Sequence, residues 1–197
     1  RPPKYTTYAP AGLDAPAGGP MSALAYQIIG TFVLVIVNAF FVLAEFAIVK
    51  VRDTRVAELA ANGSRRARIL QNIVRHLDAY LSVTQLGVTA ASMGLGWLGA
   101  SAFAELFGFA VNRAAAAVIA FVVVTFITII LGELVPKSFA IRKAEASSLL
   151  VALPLRWFYI ITRPVTWLMY VSAAGILKLF HIEPASERDL AHSEEEL

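Results

Sequence analysis

Uncharged apolar residues fill three long stretches of the chain: Met21–Ala44, Ala79–Ala104 and Ala114–Gly132. Each meets the roughly 18–20 residues that an α-helix needs to cross the hydrocarbon core of a bilayer. Between the first two lie two short amphipathic patterns, 53–62 and 64–77, that predict helices lying at a membrane surface. A fourth apolar stretch, Ala144–Phe180, is interrupted by Arg156, Arg163 and Lys178 and by Pro154 and Pro164. Proline disfavours a straight helix, and Trp157, Tyr159, Trp167 and Tyr170 are aromatics suited to the headgroup level. This stretch is therefore expected to form a kinked interfacial belt. The predicted fold is an all-α membrane protein with three transmembrane helices and a juxtamembrane helical belt.

Composition agrees. The chain is 58% hydrophobic and 16% charged, with a mean hydropathy of +0.67, which excludes a water-soluble enzyme and a disordered regulator. It contains no cysteine, so disulfides and thiolate metal sites are excluded. Positive charge is concentrated between the first two stretches, at Lys50, Arg52, Arg55, Arg65, Arg66, Arg68 and Arg75, and after the third, at Lys137, Arg142 and Lys143. The positive-inside rule places these segments in the cytoplasm, hence the N-terminus outside and the C-terminus inside a cell (inner) membrane crossed several times. Topogenic charge and contact with membrane lipids, not nucleic acid, explain the basic pI.

Residues 1–20 are rich in Pro, Ala and Gly and are expected to be a flexible or appended leader. The domain proper is expected over 21–182. Residues 183–197 end in a Ser193/Glu196 capping box, the expected start of a further helix in a linker to a missing domain.

Polar groups inside the apolar stretches are the natural functional candidates. Thr31, Asn38 and Glu45 recur every seven residues on one helix face; Ser82, Gln85, Thr89 and Ser92 form a second stripe, extended by Gly96 and Gly99. In the third stretch Thr125 falls on roughly the same side as Glu133, while Thr128 is expected to point elsewhere. Converging stripes would form an oxygen-lined cavity. The sharpest local feature is Gly132-Glu133-Leu134-Val135-Pro136-Lys137. Pro136 has no N–H to donate to the carbonyl four residues back, so Gly132 is expected to present a free carbonyl beside the Glu133 carboxylate. Two such oxygens suit a hard cation. A Gly94-x-Gly96-x-x-Gly99 pattern has no preceding strand and reads as close helix packing, not dinucleotide binding. Gly87 and Ala91 form a small-xxx-small pair on another face, expected to serve subunit contact. No nucleophile–base arrangement is present, so the chain is not expected to be an enzyme.

The segments Asn38-Ala39-Phe40-Phe41-Val42-Leu43-Ala44-Glu45, Gln85-Leu86-Gly87 and Gly132–Lys137 resemble the CorC/CNNM family of magnesium transporters. The resemblance implies a homodimer and cytoplasmic CBS modules that bind ATP but lie outside this sequence. It also implies Na⁺-coupled Mg²⁺ export through a site of side-chain and main-chain oxygens. Its ligands are expected at Glu133, Gly132, Asn38, Gln85, Thr89 and Ser92, supported by Glu45, Thr125, Pro136 and Lys137. Val42, Thr89 and Ser92 stand where the family pattern has Ser and Asn. The alternative is a non-transporting anchor and sensor that couples CBS modules to another transporter.

Overall fold

The structure, a computed structural model, describes residues 20–107 and 112–179. Among them are seven α-helices and one π-helical segment, and no strand. They are α1 (Pro20–Lys50), α2 (Asp53–Ala61), α3 (Arg65–Arg75), α4 (Leu77–Phe107), α5 (Arg113–Ile127), the π segment (Thr128–Leu134), α6 (Val135–Arg142) and α7 (Ala144–Leu179). The expected leader before Pro20, the capping box near the C-terminus and the 183–197 linker lie outside the described residues.

The all-α class and the number of apolar helices are as expected. Three described helices are long and apolar enough to cross a membrane: Leu24–Lys50, Ala114–Arg142 and Ala144–Leu179. α4 has 31 residues, so it reaches about 46 Å at 1.5 Å per residue, more than a hydrocarbon core needs. The difference from expectation is in α7, which was expected as a kinked interfacial belt and is instead one of the three candidate spans. It runs as one helix through Pro154 and Pro164. Both prolines lie on its exposed side, as do Leu150 and Ile160, whose carbonyls the prolines deprive of a donor. The disruption thus falls where no packing opposes it.

The chain divides into two compact units. The first comprises the described residues of 1–39 and 88–135. Its helices approach closely at glycines: a Cβ on Gly30 would lie 2.5 Å from Leu98, one on Gly94 3.0 Å from Leu34, and one on Gly99 2.9 Å from Val124. These contacts assign Gly94 and Gly99 to helix packing, as the sequence suggested. Asn112 starts α5 by accepting a 2.9 Å bond from the Ala115 N–H, a standard N-cap.

The second unit comprises the described residues of 40–87 and 136–197. Its core gathers Ala44, Ile48 and Val51 from the end of α1, Val56 from α2, Leu70 and Ile73 from α3, Tyr80 and Val83 from α4, and Val151, Ala152 and Leu155 from α7. The amphipathic patterns at 53–62 and 64–77 thus became α2 and α3, with their apolar faces in this core. Gly63 turns between them at φ 89°, and the Ser64 hydroxyl caps α3 by accepting from the Ala67 N–H at 3.3 Å. Tyr80 and Tyr159 stack with ring centroids 4.6 Å apart. Arg55 ties α2 to α7 by an ion pair to Glu145 at 3.1 Å and pairs within α2 with Glu58 at 2.7 Å. Those two carboxylates, Glu58 foremost, raise the guanidinium pKa further; the pairs are exposed and contribute little stability.

Candidate functional site

A primary amide inside an apolar helix bundle needs partners on both its ends, because an unsatisfied polar group there is strongly destabilising. Asn38, on α1, is only 3% exposed. Its Nδ2 donates to the Gly132 carbonyl at 3.1 Å, and its Oδ1 accepts from the Ser92 hydroxyl at 3.3 Å. One side chain thereby links α1, α4 and the π segment.

The π segment follows from the sequence around it. Pro136 cannot donate a backbone hydrogen bond, and its ring would clash with the carbonyl of Gly132 in a regular α-helix. The chain widens ahead of the proline instead, and the Val135 N–H reaches back five residues to Ile130. Gly132 itself has no room for a side chain: a Cβ there would lie 2.9 Å from the Asn38 Nδ2. The expectation of a free carbonyl is therefore corrected. Pro136 does withhold its usual donor, but the Asn38 amide replaces it.

Beside this chain of hydrogen bonds is a cavity of about 210 Å³, lined by Ser92, Leu95, Gly96, Phe121, Val124, Thr125, Thr128 and Ile129. Three hydroxyl-bearing residues face it, and Ser92 belongs to both features. Thr128 was expected to point away and instead lines the cavity with Thr125, three residues earlier and on the same helical face. Glu133 is not among the lining residues, and it is exposed. The alignment of Thr125 with Glu133 assumed uniform α-helical phase, and the π segment that begins at Thr128 breaks that phase.

The remaining candidates fall in different surroundings. Thr89, Ser92 and Gly96 occupy one exposed face of α4 in the first unit, and Ser82 and Gln85 are exposed in the second. The Ser82 hydroxyl bonds its own helix at the Asp78 carbonyl, 3.0 Å away, and Thr31 does the same at the Gln27 carbonyl, 2.8 Å away. Gln85, Glu45, Pro136 and Lys137 belong to the second unit. There the Lys137 ammonium sits 4.5 Å over the Phe46 ring, a cation–π contact that accommodates a charge near apolar surface. Among the described residues no group of three or more His, Cys, Asp or Glu is placed to hold a metal ion. The assembled oxygens are thus mostly neutral.

The Gly87–Ala91 expectation is also corrected. Gly87 is buried beneath Phe41, whose ring would lie 2.5 Å from a Cβ at that position, and Ala91 is 3% exposed. This small-residue face is used up within the protomer. Phe41 in turn packs against Phe158 at 4.7 Å.

Residues 29–197 match the family model of the cyclin M transmembrane N-terminal domain, CNNM. The chain belongs to the CNNM family. It is 45% identical over 173 residues to the UPF0053 protein YrkA of Bacillus subtilis, covering 83% of this chain and 40% of that protein. It is 43% identical over 174 residues to the UPF0053 protein YhdP of the same organism, covering 84% and 39% respectively. An uncharacterized protein of Mycobacterium tuberculosis is 34% identical over 165 residues, covering 81% of this chain and 48% of its own length. This CNNM domain thus spans about two-fifths of the length of the Bacillus relatives it matches. The family resemblance is thereby established, and with it a transmembrane domain.

Proposed function

We propose that this CNNM domain binds and translocates a divalent cation, Mg²⁺, as one half of a homodimer. The observation that carries the reading is the buried Asn38, bonded at once to Ser92 and to the carbonyl that Pro136 leaves without its helical donor. The Asn38 amide N–H presents partial positive charge to that carbonyl, and a cation would take its place. On rotation of the amide, Asn38 Oδ1, Ser92 Oγ and the Gly132 oxygen become three neutral ligands, with Glu133 one residue away to supply charge. So few protein ligands suit an Mg²⁺ that keeps several waters. Thr125 and Thr128 line a cavity roomy enough for such waters. Thr89, exposed on the same face of α4 as Ser92, would line the path toward and away from this point.

Intramembrane oxygens left exposed on one helix face need a wet cavity or a second polar surface. Pairing of two copies across α4 would enclose both stripes. Export driven by Na⁺ entry, with the N-terminus outside and ATP acting through CBS modules, completes the reading that the family resemblance supports. The anchor-and-sensor reading has its own support in the way Asn38, Ser92 and Gly132 already satisfy one another.

Flux separates the two readings. Proteoliposomes holding the domain, with imposed Mg²⁺ and Na⁺ gradients, are expected to move Mg²⁺ down the coupled gradient, and Asn38→Leu is expected to abolish that movement. A wild-type domain that carries neither Mg²⁺ nor Na⁺ would leave the anchor.

A further inference from the structure

We propose that the basic cleft between the ends of α1 and α6 is a binding site for the phosphate headgroup of an anionic phospholipid. This inference stands whether or not the domain moves an ion. The cleft encloses about 620 Å³, the size of a small-ligand site. Lys50, Arg52, Arg55 and Arg142 line it, against two carboxylates, Glu58 and Glu145. Both carboxylates are engaged by Arg55. Among the described residues no carboxylate pairs with Lys50, Arg52 or Arg142, so the cleft offers three uncommitted cations to an anion.

Basic residues near helix C-termini normally offset the helix dipole, and Lys50 and Arg142 occupy the last turns of α1 and α6. That accounts for two charges and leaves Arg52. Arg52 is the N-cap residue of α2, and no side chain caps this helix. The Arg55 and Val56 N–H groups bond back to the Arg52 carbonyl at 3.1 Å each, whereas the Asp53 and Thr54 amides precede the first helical bond and remain available as donors. Guanidinium groups beside open amides form a phosphate-binding chemistry.

Position selects a lipid over a soluble phosphate. Lys50 ends the apolar helix Leu24–Lys50 and Arg142 ends Ala114–Arg142, so the mouth of the cleft lies where two apolar helices stop. Ile141 lines the cleft and is 45% exposed, and Phe139 and Val49 nearby are each 54% exposed. Acyl chains have apolar surface to follow directly from the charged mouth.

The test reconstitutes the full chain into vesicles of mixed phosphatidylglycerol and phosphatidylcholine and quantifies the lipids retained after extraction into mild detergent. Phosphatidylglycerol is expected to be enriched about tenfold over its bulk proportion. The double variant Arg52→Gln/Arg142→Gln should lose that enrichment, and Arg65→Gln/Arg66→Gln, which removes the same charge from exposed α3, should keep it. No enrichment in the wild type, or an equal loss in both double variants, overturns the proposal. Displacement by glycerol 3-phosphate at matched concentration would assign the cleft to free phosphate, and displacement by a peptide of residues 187–197 would assign it to the acidic end of the chain; either result overturns a lipid. Should the cleft variant fail to fold, a photoreactive phosphatidylglycerol on the wild type decides. Crosslinks within residues 49–58 or 139–145 are expected, and crosslinks confined to other segments reject the site.

Discussion

Asn38 and Gly132 make one unit whose halves can be removed separately. Asn38→Leu leaves the Gly132 carbonyl buried without a donor and strands the Ser92 hydroxyl, which should destabilise the domain by about 1–3 kcal/mol. Gly132→Ala introduces a Cβ 2.9 Å from the Asn38 amide and should destabilise by about 1–3 kcal/mol through overpacking. Unfolding in mixed micelles measures both. Because the residues touch, the double variant should destabilise by less than the sum of the two; strict additivity would mean that the hydrogen bond contributes nothing. Charge is a separate question. If Glu133 supplies the charge of a cation site, Glu133→Gln should weaken Mg²⁺ binding tenfold or more, a change of about 1.4 kcal/mol or above. Glu45→Gln, in the other unit, should leave it nearly unchanged. Titration calorimetry on the two variants checks this, and equal affinities would place the site elsewhere.

At the scale of elements, the turn between α2 and α3 depends on two adjacent residues. Gly63 holds a left-handed φ of 89° with open space around its α-carbon, so Gly63→Ala should lose about 1 kcal/mol to backbone strain alone. Ser64→Ala removes the α3 cap for about 1 kcal/mol more. Amide exchange across Arg65–Arg75 would reveal both as faster opening of one helix. The two helices were readable in advance, from the amphipathic patterns at 53–62 and 64–77. The first three apolar stretches were readable because length and the absence of charge suffice, whereas the charges and prolines of α7 suggested a broken belt where one helix runs. Asn38 and Ser92 were also found from the sequence, because a polar residue in an apolar run is conspicuous. Phase was not legible. A helical wheel assumes 100° per residue, and nothing short of the packed structure reveals that Thr128 to Leu134 departs from it. Hence Thr128 was set aside and Glu133 was aligned with the wrong face. The partner of Gly87 was equally hidden, because small residues invite close approach without naming what approaches.

For the whole molecule, cysteine labelling assigns each end of α7 to one side of the membrane. The native chain has no cysteine, so single introduced cysteines report without background. With α1, α4 and the helix Ala114–Arg142 as the spans and the N-terminus outside, Ser64→Cys and Leu179→Cys should label only after the membrane is permeabilised, and Asn112→Cys should label in intact cells. Labelling of Leu179→Cys from outside would make α7 a further span. Assembly can be separated from folding in the same way. Gly96 is exposed and nothing lies within 4 Å of a Cβ built there, so Gly96→Leu should leave the protomer intact and reduce dimer content if α4 forms the subunit contact. Gly87→Leu would force a side chain into Phe41 and should unfold the protomer first. Detergent-corrected mass together with helical content distinguishes the two.

The π segment also changes what a one-residue gap means. A π turn is an α-helix carrying one surplus residue, so deleting Ile130 would let Thr128–Leu134 relax to ordinary α geometry with hydropathy almost untouched. Everything after the deletion would keep close to its present phase and height, because the residue removed is the one that the π turn absorbs. Thr125 would still face its cavity, and Leu134 would keep close to its present phase. In this stretch a single missing residue, easily read as a shift of every later side chain, would leave the flanking turns in register.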